Sequence, residues 1–179
     1  MTDAAKNYGG ALYELARDEG LSLQLLEQLN VLNDSFTAEP GFVKLMATPS
    51  IPKAERCQIL DDSFRSKIHP YVLNFMKILT EKGYIREFAS CCQVYRNRYN
   101  QDNGILPVTA VTAVPLADEL KERLLHKLSQ VTGKKIDLNC RVDPDTLGGV
   151  RLDFDGKQVD GTVRRRLDDI RAILKNTVL

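Results

Sequence analysis

The sequence predicts a mostly α-helical protein with a smaller α+β part, and three observations predict it. Apolar residues recur at helical spacing through the first hundred positions. Composition then shifts at Asn103-Gly104 towards Val, Thr and Ala. Beyond that point, apolar–polar alternation appears twice, around Leu138 and around Leu152. The expected division is a bundle of about six helices over residues 1–103, then a small sheet carrying two helices over residues 104–179.

In the first part, Tyr8, Ala11, Leu12, Leu15 and Ala16 form one amphipathic stripe, which Gly20 closes. Leu21, Leu25, Leu29, Leu32 and Phe36 form the next, broken by Pro40-Gly41. A short apolar segment from Phe42 to Met46 stops at Thr48-Pro49. Pro52 suits the first turn of a helix bearing Cys57, Leu60 and Phe64. Pro70 opens another, where Val72, Leu73, Phe75, Met76, Ile78 and Leu79 cover more than half the circumference. Such a helix is expected to be central or shared with a partner. Gly83 ends it, and Ile85, Phe88, Ala89, Cys92 and Tyr95 mark a last helix down to Asn100. Short connections between such helices imply an antiparallel bundle.

In the second part, Ile105 to Val114 suits a strand, and Pro115 is expected to start a helix with Leu116, Leu120, Leu124, Leu128 and Val131, stopped by Gly133. Ile136, Leu138, Cys140 and Val142 alternate with polar residues, as a half-buried strand does. Val150, Leu152 and Phe154 lead into Asp155-Gly156, a favoured hairpin turn, with Val159 on the return. Val163, Leu167, Ile170 and Leu174 fall on one face of an expected final helix.

Composition narrows the function classes. The 179 residues are 43% hydrophobic and 27% charged, enough to bury a core, and 25 basic against 24 acidic residues give a net charge of +1. That balance offers no nucleic-acid footprint and no polybasic membrane anchor. No stretch approaches the roughly 20 apolar residues that span a bilayer. The first residues lack the charged and apolar regions of a secretory signal, so the chain is expected to stay where it is made, with a cleaved precursor as the alternative. Cys57, Cys91, Cys92 and Cys140 form no C-x-x-C pair and are expected to be buried, reduced thiols.

Candidate chemistry is sparse. Gly133-Lys134 fails the phosphate-loop spacing, because Leu128 stands where Gly is needed and Lys135 where Ser or Thr is needed. Gly148 and Gly149 could cradle an anion, but a tight turn or bulge is the better account, with Asp160 and Gly161 forming a second structural turn. Asp143, Asp145, Asp153, Asp155 and Asp160 do not follow calcium-loop spacing and suit turns. His69 and His126 have no Cys or carboxylate at ligand spacing. No catalytic, cofactor-binding or metal-binding residue is therefore assigned. Arg164, Arg165 and Arg166 crowd an expected helix start, where positive charge opposes the dipole. They are either a solvated face or a surface for an acidic partner.

Two stretches carry a family resemblance. Val142 to Val150, followed by Asp160-Gly161-Thr162-Val163-Arg164-Arg165-Arg166-Leu167, resembles the signature of the delta subunit of F-type ATP synthases, whose mitochondrial relative is the oligomycin-sensitivity-conferring protein. The second half of that signature reads D-G-S-V-x-x-R-L, and Thr162 keeps the hydroxyl of the usual Ser. The opening Tyr8-Gly9-Gly10-Ala11-Leu12-Tyr13-Glu14-Leu15-Ala16 resembles the family's first helix, with Gly9-Gly10 as a departure. Leu79 to Ile85 resembles a central segment, with Tyr84 where Arg is usual. The resemblance covers the whole chain.

It implies a non-catalytic peripheral-stalk subunit that links the catalytic head to a b-type stalk, so that rotation is coupled to ATP synthesis. It implies binding of the N-terminal helix of an alpha subunit in a groove lined by Tyr8, Ala11, Leu12, Leu15, Phe75, Ile78 and Leu79. It also implies a place on the cytoplasmic face of the cell inner membrane, reached only through the complex; with a stalk partner implied, Arg164, Arg165 and Arg166 are the expected contact to it, because an acidic partner surface would offset their unfavourable place at a helix start. Two alternatives are an unrelated helical adaptor for amphipathic helices and a small enzyme using Asp160 and Arg164.

Overall fold

A computed structural model describes residues 2–146, 148–154 and 156–162. Contacts divide the chain into two compact units, Met1–Tyr99 and Asn100–Leu179, so the border falls in the last turns of a helix. Among the described residues there are seven α-helices and four strands, mostly α with a smaller α+β part.

The first unit is built from α1 (Asp3–Asp18), α2 (Ser22–Ala38), α3 (Pro40–Met46), α4 (Lys53–Phe64), α5 (Pro70–Lys82) and α6 (Phe88–Asp102). Thr2 caps α1, its hydroxyl accepting from the Ala5 N–H at 3.3 Å. Gly83, at φ +79°, closes α5 in the left-handed conformation that spares glycine a Cβ clash. Pro52 sits at the N-cap of α4, one residue ahead of the first turn. A 3₁₀ turn over Ile85–Glu87 precedes α6, which runs on to Asp102.

Apolar stripes from the helices meet in one core. Phe36 is its hub: it stacks on Phe42 at 5.3 Å and meets the edge of Phe88 at 5.0 Å between ring centroids. Such ring pairs add about 0.5–1.5 kcal/mol each beyond the area they bury. Arg56 is a buried cation in this unit, only 6% exposed. Its Nη1 donates to the Met46 carbonyl at 2.6 Å, capping the C-terminal end of α3, where a helix presents negative partial charge. The burial of this guanidinium thus has a local electrostatic reason.

The second unit starts with β1 (Ile105–Thr112), then α7 (Asp118–Thr132), β2 (Lys135–Val142), β3 (Val150–Phe154) and β4 (Lys157–Asp160). The strand order is β2-β1-β3-β4. Because α7 carries the chain back over the sheet, β1 and β2 run parallel, from Ile105 opposite Lys135 to Thr112 opposite Val142. β3 pairs antiparallel with β1 and with β4, and Phe154 opposite Lys157 closes the hairpin. As a central strand, β1 buries Leu106, Val108, Ala110, Val111 and Thr112.

Two expectations need correction. The helix expected from Pro115 begins at Asp118, because Pro115 and Leu116 lead into the extended N-cap Ala117. Asp118 and Glu119 then place negative charge in the first turn, where the dipole favours it. Of the cysteines, Cys91 and Cys92 are buried, but Cys140, on the outermost strand β2, and Cys57, whose thiol faces the Glu81 carboxylate, are half-buried. All four are free thiols. Val163, Leu167, Ile170 and Leu174 lie outside the described residues.

Candidate functional site

The expected groove residues fall on α1 and α5, and the structure sorts them by depth. α1 buries Ala5, Gly9, Gly10, Leu12, Tyr13 and Ala16. Positions 8, 11 and 15 share the stripe that flanks this buried set on one side, since i, i+3 and i+7 align on a helix. Tyr8 is half-buried there, Ala11 is exposed and Leu15 is 42% exposed. α5 buries Val72, Leu73, Phe75, Met76, Leu79 and Thr80, leaving Ile78 36% exposed.

Leu12, Phe75 and Leu79 are therefore core residues rather than surface ones. Their side chains sit on the inward stripes of their helices and belong to the main hydrophobic cluster. Of the expected set, Ala11, Leu15 and Ile78 are open to solvent and Tyr8 is partly so. Sequence reasoning missed Tyr84, which is 42% exposed and meets Tyr8 at 5.9 Å between ring centroids. Its signal was present: an aromatic residue directly after the left-handed Gly83 is held where the chain leaves α5. The two tyrosines join the outward face of α1 to the C-terminal end of α5.

A second apolar depression, about 400 Å³, lies on the same unit and is lined by Val31, Leu32, Phe64 and Ile68, with Glu27 and Lys67 among its polar members. It shares no residue with the Tyr8–Tyr84 face.

The remaining candidates are backbone devices. Gly148 and Gly149 have φ +142° and +84°. A Cβ on Gly149 would lie 2.6 Å from the Gly161 carbonyl oxygen, so the two turns approach too closely for any side chain. Asp160 accepts the Thr162 N–H at 2.9 Å, and Asp143 accepts the Asp145 N–H at 3.1 Å, both holding local turns. His69 caps α5: its Nδ1 accepts from the Tyr71 N–H, and its own N–H donates to Gln28. Among the described residues no three His, Cys, Asp or Glu side chains gather as metal ligands, and no helix is long and apolar enough to cross a membrane. Arg164, Arg165 and Arg166 lie outside the described residues.

Comparison with known proteins agrees along the whole chain. Residues 4–174 match the family model described as ATP synthase delta (OSCP) subunit. An ATP synthase subunit delta of Alkaliphilus oremlandii is 32% identical over 163 residues, 91% of each chain. One from Clostridium kluyveri is 28% identical over 169 residues, 94% of this chain and 93% of its own. In fold, the chain is similar to one in the cryo-EM structure of the Toxoplasma gondii mitochondrial ATP synthase hexamer. That match has a TM-score of 0.78 and 15% identity, over 97% of this chain and 98% of that one. The chain belongs to the ATP synthase delta (OSCP) subunit family, as a non-catalytic stator component of the ATP synthase complex.

Proposed function

We propose that this stator subunit holds the catalytic head by seating the amphipathic N-terminal helix of an alpha subunit on the α1–α5 face, and holds a b-type stalk through its second unit. The observation that carries the head contact is the set of apolar residues left open on α1 and at the C-terminal half of α5, namely Leu15, Ile78 and Tyr84, beside half-buried Tyr8. An amphipathic helix is recognised by such a trough through apolar anchors spaced at i, i+3, i+4 and i+7. A stator must also resist torque, and the core residues Leu12, Phe75 and Leu79 under the face give it a stiff floor. Division of labour between the units supplies separate surfaces for separate partners. The chain would then reach the cytoplasmic face of the inner membrane through the complex alone.

The test is binding of isolated heads to Ile78→Asp and, as a control, to Val31→Asp in the second depression. Ile78→Asp is expected to weaken head binding while the circular dichroism stays that of the parent, and Val31→Asp to leave binding unchanged. Full head binding by folded Ile78→Asp refutes the assignment of this face. Loss of binding only in Val31→Asp moves the contact to the second depression.

A further inference from the structure

The apolar stripe of α7 is only partly used by its own unit. A helix that rests on a sheet ordinarily buries that stripe. α7 packs along β2, yet none of its residues is fully buried. Leu124, Leu125 and Leu128 are half-buried, while Leu120 is 51% and Val131 86% exposed. Positions i, i+4, i+7 and i+11 align on a helix, so Leu120, Leu124, Lys127 and Val131 form one line. Lys127 does not break it, because a lysine stem lies along apolar surface and keeps its ammonium in water.

A basic line borders the apolar one on its solvent side. Arg123, Lys127 and Gln130 follow each other there, and Lys134 comes just past the Gly133 cap, all exposed. Lys121 has a carboxylate partner, Asp118 at 2.8 Å. Among the described residues, no carboxylate pairs with Arg123, Lys127 or Lys134. Arg123 and Lys127 stand one turn apart and repel each other. Lys127 and Lys134 suit the C-terminal end of a helix dipole, but Arg123 is too far from it to gain.

An apolar line edged with unpaired cations fits an amphipathic helix edged with carboxylates, as flanking charges fit across a coiled coil. Two other occupants bring the wrong charge. A second copy laid α7 on α7 presents the same cations. Residues 163–179 carry Arg164, Arg165, Arg166, Arg171 and Lys175 against only Asp168 and Asp169.

We propose that α7 is a surface on which the second unit takes the stalk: one stalk helix lies along Leu120, Leu124 and Val131, with its carboxylates against Arg123 and Lys127. This rests on the reading that the second unit holds the stalk, and it adds the helix that does so and the charge the stalk must present. It is a contact in addition to Arg164, Arg165 and Arg166.

Surface plasmon resonance of the full chain against immobilised stalk, joined to photo-cross-linking, tests this. Arg123→Glu combined with Lys127→Glu is expected to weaken stalk binding about tenfold or more at low salt, where attractions become repulsions, and less at high salt. Val131→Asp is expected to weaken it at both salts. All three positions are exposed, so the thermal melts should match the parent. A photoreactive residue in place of Gln130 should capture the stalk, and one in place of exposed Gln158 on β4 should not. Binding unchanged in both variants, capture from Gln158 alone, or no capture at Gln130 by a chain that binds the stalk overturns the α7 assignment and leaves the stalk on the second unit. Capture of a second copy or of a head subunit at Gln130 overturns it too. A parent chain with no affinity for the stalk overturns the underlying reading together with this one.

Discussion

Gly9 of α1 rests directly on the Cys91 carbonyl of α6: a Cβ there would come within 2.5 Å of the oxygen and 3.1 Å of the carbonyl carbon. Gly10 is different. Its Cβ would meet the guanidinium of Arg98 at 2.8 Å, the movable end of a side chain paired with Glu14 at the surface. Two adjacent glycines, equally unhelpful to helix propensity, thus have unequal structural reasons.

Gly9→Ala is expected to destabilise the first unit by about 1–2 kcal/mol. Overpacking against backbone costs about 1–3 kcal/mol, and a gain of about 1 kcal/mol in helix propensity offsets only part of it. Gly10→Ala is expected to be neutral or slightly stabilising, because Arg98 can swing aside at the cost of one exposed ion pair. Urea unfolding of the two variants checks the contrast. Equal destabilisation would show that the α1–α6 crossing yields at both positions.

The thiols of Cys91 and Cys92 are pushed up to about 11 and about 12, chiefly by burial. The Tyr95 hydroxyl is also raised, by burial and then by neighbouring Tyr13 and Tyr99. An unfolded chain releases these protons at lower pH than the folded one. Stability from these groups is therefore complete below the ordinary thiol value of 9.0 and falls as pH rises towards 11–12. Urea midpoints are expected to drop between about pH 9 and pH 11, less steeply in a Cys91→Ala, Cys92→Ala variant. At pH 8, alkylation followed by mass spectrometry should reach half-buried Cys57 and Cys140 before the buried pair.

Gly149 and Gly156 both hold positive φ, +84° and +71°, but only Gly149 faces a neighbour. Gly156→Ala is expected to cost about 1–2 kcal/mol, from backbone handedness alone. Gly149→Ala adds the clash with the Gly161 carbonyl and the Thr162 Cα, and is expected to cost more, by about 1–3 kcal/mol. Thermal melts of the two variants give the ordering. Titration of the parent with ATP, ADP or phosphate should show no saturable heat at this double-glycine turn.

Much of the fold was legible because apolar spacing and glycine stops are local signals. Leu25, Leu29, Leu32 and Phe36 lie on the buried stripe of α2, and Gly83 and Gly133 are left-handed caps. The start of α7 was not, because proline suits the extended lead-in to a helix as well as its first turn, and only the extended Ala117 shows that Pro115 belongs to the lead-in. At the site, periodicity identified α1 and α5 but not depth. Leu12 and Leu15 look alike in sequence, and one is core while the other is 42% exposed. The role of Gly9 depends on α6, some eighty residues away in the chain, so no local pattern could supply it.

Arg164, Arg165 and Arg166 give the last prediction, argued from sequence because they lie outside the described residues. Asp160-Gly161-Thr162 ahead of them reads as a helix start, where each exposed cation is unfavourable by about 0.3–1 kcal/mol. Three in a row are retained against that cost if they meet an acidic surface through charge-assisted bonds. The apolar stripe Val163, Leu167, Ile170 and Leu174 is suited to packing on the unit's own sheet, so the arginines are proposed as the stalk contact. Changing all three to Gln is expected to leave head binding intact and to weaken b-type stalk binding, more at low salt than at high salt, where wild-type binding is already screened. Surface plasmon resonance against the immobilised stalk at two ionic strengths measures it. A triple variant that binds as tightly as wild type at low salt returns the arginines to a solvated face and moves the stalk contact to the apolar surfaces of the second unit.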